Sequence, residues 1–137
     1  MSSLSYFNYS PFSGTLSDQS HYSQAVRVGD RIECSGQGGW DPETGAISKS
    51  AAEEMEQAFA NVDACLRSAG GEGWSQVYRV NLYVTELSED LFTAWEASAK
   101  KWTGGRHRPI LTAVAVAGLA LPGMRVEIEV VAHAPQQ

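Results

Sequence analysis

The segment HRPILTAVAVAGLALPGMRVEIEVVAHA, His107 to Ala134, holds two strand-like runs separated by Ala117-Gly118-Leu119 and Leu121-Pro122-Gly123. The second run alternates, with Val126, Ile128 and Val130 on one side and Glu127 and Glu129 on the other. The first does not: Ile110, Leu111, Ala113, Val114, Ala115 and Val116 are apolar on both sides of any strand they form. A half-solvated strand shows polar residues on one face, so this strand is expected to be covered on both. A chain with two helices cannot easily cover both faces of a sheet, which makes a second copy of the chain the expected cover. The carboxylate pair beside that seam is the first place to look for chemistry.

Upstream, Ala25-Val26-Arg27-Val28 and Arg31-Ile32-Glu33-Cys34 flank Gly29-Asp30, a link that suits a tight hairpin. Gly36, Gly38 and Gly39 follow; their spacing is neither a dinucleotide fingerprint nor a phosphate loop, and they predict a close backbone or ligand approach. Ser50-Ala51-Ala52-Glu53 is a capping box opening a helix with its apolar stripe at Met55, Phe59, Val62 and Leu66, ended by Ala69-Gly70-Gly71. A third strand from Val77 to Thr85 puts Val80, Leu82 and Val84 opposite Arg79, Asn81 and Tyr83. Ser88 caps a second helix striped by Phe92, Trp95, Ala99 and Trp102 and closed by Gly104-Gly105. Residues 1–20, rich in Ser and aromatics, show no clear period and read as an irregular arm with a short strand near Tyr6 to Tyr9. The expected order is β-β-α-β-α-β-β: one domain, residues 1–137, an α/β mixed sheet with two helices packed on one face.

The length suffices to bury about two-thirds of the unfolded surface. A net charge of −6 and a pI of about 4.9 leave no basic stripe for a phosphate backbone, so no nucleic-acid partner is expected. No apolar run is long enough to span a membrane, and the first residues lack a signal-peptide pattern, which predicts a cytoplasmic protein without a membrane partner. Cys34 and Cys65 are isolated and read as reduced core thiols. His21, His107 and His133 lack metal-ligand spacing, so no metal is expected. No serine sits in a nucleophile elbow. The carboxylates remain. Two readings of Glu127 and Glu129 are open: raised pKa values suited to passing protons through a water, or ion pairs with Arg79 or Arg125.

Five short motifs run in order through the chain: Tyr22-Ser23-Gln24-Ala25-Val26, Cys34-Ser35-Gly36-Gln37, Ala69-Gly70-Gly71, Asn81-Leu82-Tyr83-Val84 and Val126-Glu127-Ile128-Glu129. In this order and spacing the chain resembles, over roughly residues 20–132, the reactive intermediate deaminase family (RidA, YjgF or UK114). The resemblance implies a chorismate-mutase-like fold, a homotrimer, and small-molecule clefts between subunits. It also implies hydrolysis of small imines and enamines such as 2-aminoacrylate to 2-keto acids and ammonia, with no cofactor. Carried over residue by residue, it makes Glu127 the water-orienting carboxylate and Tyr22 the pocket tyrosine, with Ser35 and Gly36 as backbone lining. The family's carboxylate-clamping arginine does not carry over: Pro109-Ile110-Leu111-Thr112 stands where the family has Pro-Ala-Arg-Ser, and Glu96 stands for a helix asparagine. Losing a charge-assisted grip of about 1.5–3 kcal/mol points to a more apolar metabolite. Arg106 and Arg108, just before Pro109, are the candidates to replace the clamp. Two further readings stay open: an ordinary 2-iminobutanoate/2-iminopropanoate deaminase with a relocated arginine, and a non-catalytic trimer that binds metabolites or proteins. Endoribonuclease activity, sometimes attached to this family, is disfavoured by the acidic charge.

Overall fold

A computed structural model describes residues 3–136; Met1 and Ser2 of the expected arm, and Gln137, lie outside the described residues. In chain order the elements are β1 (Ser5–Phe7), α1 (Pro11–Ser20), β2 (Ala25–Val28), β3 (Arg31–Cys34), β4 (Gln37–Gly38), α2 (Ala51–Ser68), a 3-10 turn (Gly73–Gln76), β5 (Val77–Val84), α3 (Glu89–Thr103), β6 (Ile110–Ala115) and β7 (Val126–His133). The strands form one mixed sheet in the order β1-β2-β3-β7-β5-β6, with β4 also paired to β7. The β5–β6 pair is parallel and the others are antiparallel.

The arm expected over residues 1–20 is corrected: beyond the short strand β1, it contains a ten-residue helix. Ser10 caps α1 by accepting from Ser13 N at 3.1 Å, Ser13 Oγ returns the bond by accepting from Ser10 N at 2.9 Å, and Pro11 occupies the first turn. β6 and β7, adjacent in sequence, are separated in the sheet by β5, so Glu127 lies opposite Tyr83 and Glu129 opposite Asn81.

Alternation sets the two faces of the sheet. Val80, Leu82, Val126, Ile128, Val130 and Ile32 are buried against α2 and α3, around Phe59, which stacks on Trp74 with ring centroids 4.5 Å apart. Glu56 on α2 ties the helices together, accepting from Ser98, Lys101 and Trp102 of α3. The opposite face carries Arg79, Asn81, Tyr83, Glu127 and Glu129, away from α2 and α3. β6 is an edge strand, and within the single chain it is exposed on both faces: Ile110 is 61%, Leu111 43% and Val114 40% exposed. The two buried thiols, Cys34 and Cys65, are free.

Candidate active site

The start of β7 is fixed by a buried ion pair. The Glu54 carboxylate, fully buried on α2, accepts from Arg125 Nε at 2.6 Å, from Arg125 N at 2.7 Å and from Val126 N at 3.3 Å. The Arg125 guanidinium also donates to the carbonyls of Ser48 at 2.7 Å and Lys49 at 3.1 Å. Two residues later the strand delivers Glu127. The alternative that paired Glu127 and Glu129 with Arg79 or Arg125 is thereby corrected: Arg125 is committed to Glu54, and no ion pair joins Arg79 to either glutamate among the described residues. Glu129 instead accepts from Asn81 Nδ2 at 2.9 Å and from the Tyr83 hydroxyl at 3.0 Å. Glu127 is half-buried, and no hydrogen bond to its carboxylate occurs among the described residues. Burial first, and the neighbouring Glu129 charge second, push its pKa above the ordinary carboxylate value. A half-buried carboxylate with free lone pairs and a raised pKa is suited to accept a proton from water.

Gly36 lies against Glu127, Ser35 directly precedes Gly36 in the chain, and Tyr22 is near enough to feel the Glu127 charge. Glu33 opposes Val131 while Gln37 opposes Ile128, so the chain carries one extra residue between β3 and β4 and bulges there. Gly36 sits in that bulge against the Glu127 side chain; a Cβ at Gly36 would lie 2.5 Å from Glu127 Cδ. Gly38 and Gly39 likewise allow close approach: a Cβ at Gly39 would meet the Glu54 carbonyl oxygen at 2.1 Å, which makes these two glycines packing residues. Tyr22 follows the end of α1, where His21 adopts the left-handed conformation at φ 56° and turns the chain back toward the sheet. The missed helix therefore aims the tyrosine. The Tyr22 hydroxyl accepts from Gln24 Nε2 at 3.1 Å. Burial raises its pKa, the Gln24 bond opposes that rise, and the Glu127 charge adds to it, so phenol and carboxylate share one electrostatic environment. Ser35 is held by its N–H and its hydroxyl, which both donate to the Gln24 carbonyl, at 2.8 and 3.1 Å.

The remaining candidates lie elsewhere. Leu111 stands beside Val80 in the β5–β6 register, so it projects to the helix face, into a groove of about 530 Å³ between α3 and β6. Phe92, Trp95, Glu96, Lys100 and Arg108 line it too. Glu96 pairs with Lys100 at 2.8 Å, which holds its carboxyl below the ordinary value. Arg106 is exposed and is not among the lining residues, so of the two arginines Arg108 is the one beside Leu111. Lys100, a second cation on the groove, escaped sequence reasoning; its position one turn from Glu96 was the available signal. The candidates thus divide into Tyr22, Ser35, Gly36 and Glu127 on the open face, and Glu96, Arg108 and Leu111 at the helix face. Within one chain the sheet itself stands between Glu127 and Leu111. A single molecule touching both groups needs a second copy of the chain.

Comparison with known proteins gives one consistent result. The family model for endoribonuclease L-PSP matches residues 14–134. A RutC family protein of Aquifex aeolicus is 36% identical over 113 residues, covering 81% of this chain and 86% of the relative. The human 2-iminobutanoate/2-iminopropanoate deaminase is also 36% identical over 113 residues, covering 81% of this chain and 78% of the relative. Among solved structures, RidA from an Antarctic Psychrobacter superposes with a TM-score of 0.72 at 36% identity, covering 82% of this chain and 87% of that one. Protein YJGH superposes with a TM-score of 0.79 at 28% identity, covering 96% and 98%.

Proposed function

The chain belongs to the endoribonuclease L-PSP family, the RidA/YjgF/UK114 group, and from that premise we propose that it hydrolyses a small imine or enamine in a cleft completed between two copies of itself. The observation that carries the proposal is Glu127: half-buried, held against Gly36, raised in pKa and without a protein hydrogen-bond donor among the described residues. In the proposed reaction Glu127 orients a water and takes a proton from it as the oxygen adds to the imine carbon. The nitrogen gains the proton, the resulting carbinolamine expels ammonia, and a carbonyl compound remains. Imine and water are the only reactants, so the scheme requires no cofactor. Tyr22 donates a hydrogen bond to the reacting molecule, and the Ser35-Gly36 backbone lines its path.

The second copy contributes the groove beside Leu111. The doubly exposed, doubly apolar β6 supports an assembly, which we take to be a trimer of identical chains, because two faces of one strand remain to be covered. Leucine offers no donors where the family has its clamping arginine, so the preferred substrate is more apolar at that end than an ordinary 2-imino acid. A second reading is favoured by one observation: Arg108 lines the same groove and could take a substrate carboxylate in the arginine's stead. Keto-acid formation from 2-iminobutanoate, generated in situ by a dehydratase, separates the two. The first reading expects a rate close to the spontaneous one, raised by Leu111→Arg. The second expects clear activity whose KM rises at least about tenfold in Arg108→Ala, as loss of a charge-assisted contact would give. No activity on any imine, carboxylated or neutral, would overturn both.

A further inference from the structure

We infer that Gln24 is a positioning residue that fixes the direction of the Tyr22 hydroxyl proton, making the phenol an acceptor toward the protein and a donor toward the cleft. This deepens, and rests on, the reading above that Tyr22 faces the reacting molecule. The inference stands on a short chain of buried amides. Gln37 Nε2 donates to the Ser35 carbonyl at 3.1 Å and to Gln24 Oε1 at 2.7 Å. A carbonyl can only accept, so the Ser35 contact settles which end of the Gln37 amide is nitrogen. Gln24 Oε1 must then be the acceptor of the pair, and Gln24 Nε2 points the other way. There it donates to the Tyr22 hydroxyl at 3.1 Å and, at 3.4 Å, to a second carbonyl, that of Ser13. Two backbone carbonyls therefore set the polarity of the whole chain. The amide nitrogen cannot accept, so the single phenolic proton has to leave on the other side of the oxygen, away from Gln24.

The cost of this arrangement argues that it serves something. Gln24 and Gln37 are both fully buried, and Gln37 Oε1 is a buried oxygen with no hydrogen-bond partner among the described residues. Apolar side chains of the same volume would avoid an unpaired acceptor in the core. What they could not do is dictate the direction of a hydroxyl proton, which otherwise rotates to suit its surroundings. Helix α1 takes part as well: its Ser13 carbonyl is one of the two polarity-setting acceptors, and its C-terminus presents Tyr22.

The test compares the natural protein with Gln24→Met, which keeps the volume and removes the donor, and with Gln24→Glu, which keeps the shape and accepts from the phenol when ionised. Protein labelled with carbon-13 at tyrosine Cζ is titrated, and the Tyr22 signal is identified by its loss in Tyr22→Phe. Both Gln24 variants should titrate Tyr22 at higher pH than the natural protein, because the phenolate has lost a donor. If one variant fails to fold, the other gives the same readout. On any imine that the natural protein hydrolyses, Gln24→Met should lower kcat by roughly tenfold to a hundredfold with KM little changed, and should add almost nothing in a Tyr22→Phe background. A merely structural Gln24 would lower the rate in both backgrounds. An unmoved Tyr22 titration in the folded variants overturns the inference, whatever the activity. A moved titration in a protein without imine hydrolysis leaves the amide chain standing and removes the proposed reaction instead.

Discussion

Replacing Gly36 by alanine should disable the site while leaving the fold in place. The added Cβ would lie 2.5 Å from Glu127 Cδ, 2.6 Å from its Oε1 and 2.8 Å from its Cγ. Ordinary contact begins near 3.4 Å, so the carboxylate has to retreat by about 1 Å. The atoms it meets belong to the far end of a flexible side chain whose carboxylate has no hydrogen bonds to break among the described residues, so the cost to stability stays at or below about 1–3 kcal/mol. A displacement of about 1 Å in a group that orients a reactant costs on the order of 10²-fold in rate. The assay is hydrolysis of an in situ imine, followed as carbonyl product, with a urea unfolding curve to show that the protein is folded. A folded Gly36→Ala protein at the natural rate would refute the reasoning, because the carboxylate cannot stay where it is once the methyl is present.

Glu127→Gln should cut the rate by roughly 10²–10⁴-fold. It should also stabilise the protein at neutral pH, because burial and Glu129 raise the carboxyl's pKa on folding and so make its ionised form costly. That cost is fully present above the raised folded value and is lost as pH falls through it toward the unfolded value near about 4.3, so the urea midpoints of variant and natural protein should converge in acid. Arg125→Met should be among the most damaging substitutions outside the cleft, because it leaves the fully buried Glu54 with backbone donors only. A loss of about 3 kcal/mol, the lower end for breaking a buried pair, should move the urea midpoint down by about 1–2 M without a change in slope.

Much of this was legible in the sequence because it depends on period. Strict alternation from Val126 to Val130 put both glutamates on one face, and the helices opened at Ser50 and Ser88, whose hydroxyls accept from Glu53 N and Leu91 N. The doubly apolar run forms strand β6, which this chain leaves exposed on both sides, so the cover expected for it has to come from a second copy. Helix α1 was missed because it buries only Ser13 and Leu16 and so has almost no apolar stripe; its signal was the Ser10-Pro11 pair, a capping residue followed by a proline. The insertion of β5 between β6 and β7 was hidden because neighbours in sequence usually pair, and a parallel crossover breaks that rule. The amide chain from Gln37 through Gln24 to Tyr22 follows no period at all. It depends on a hairpin, a bulge and a helix end meeting in space, and single residues in a sequence do not report such meetings. The division of the candidate residues between two faces of the sheet was equally invisible, since it follows from the register of Leu111 beside Val80.

The central claim is that Glu127 of one chain and the groove of another make a single cleft, and subunit mixing tests it most directly. Glu127→Gln removes the carboxylate; Leu111→Trp fills the groove beside Trp95 and Phe92. Each protein alone should be inactive. Co-refolded in equal amounts they should regain roughly a quarter of the natural rate, since about one interface in four then joins a natural Glu127 to a natural groove. A mixture that exchanges subunits and stays as inactive as its parents would contradict a shared cleft.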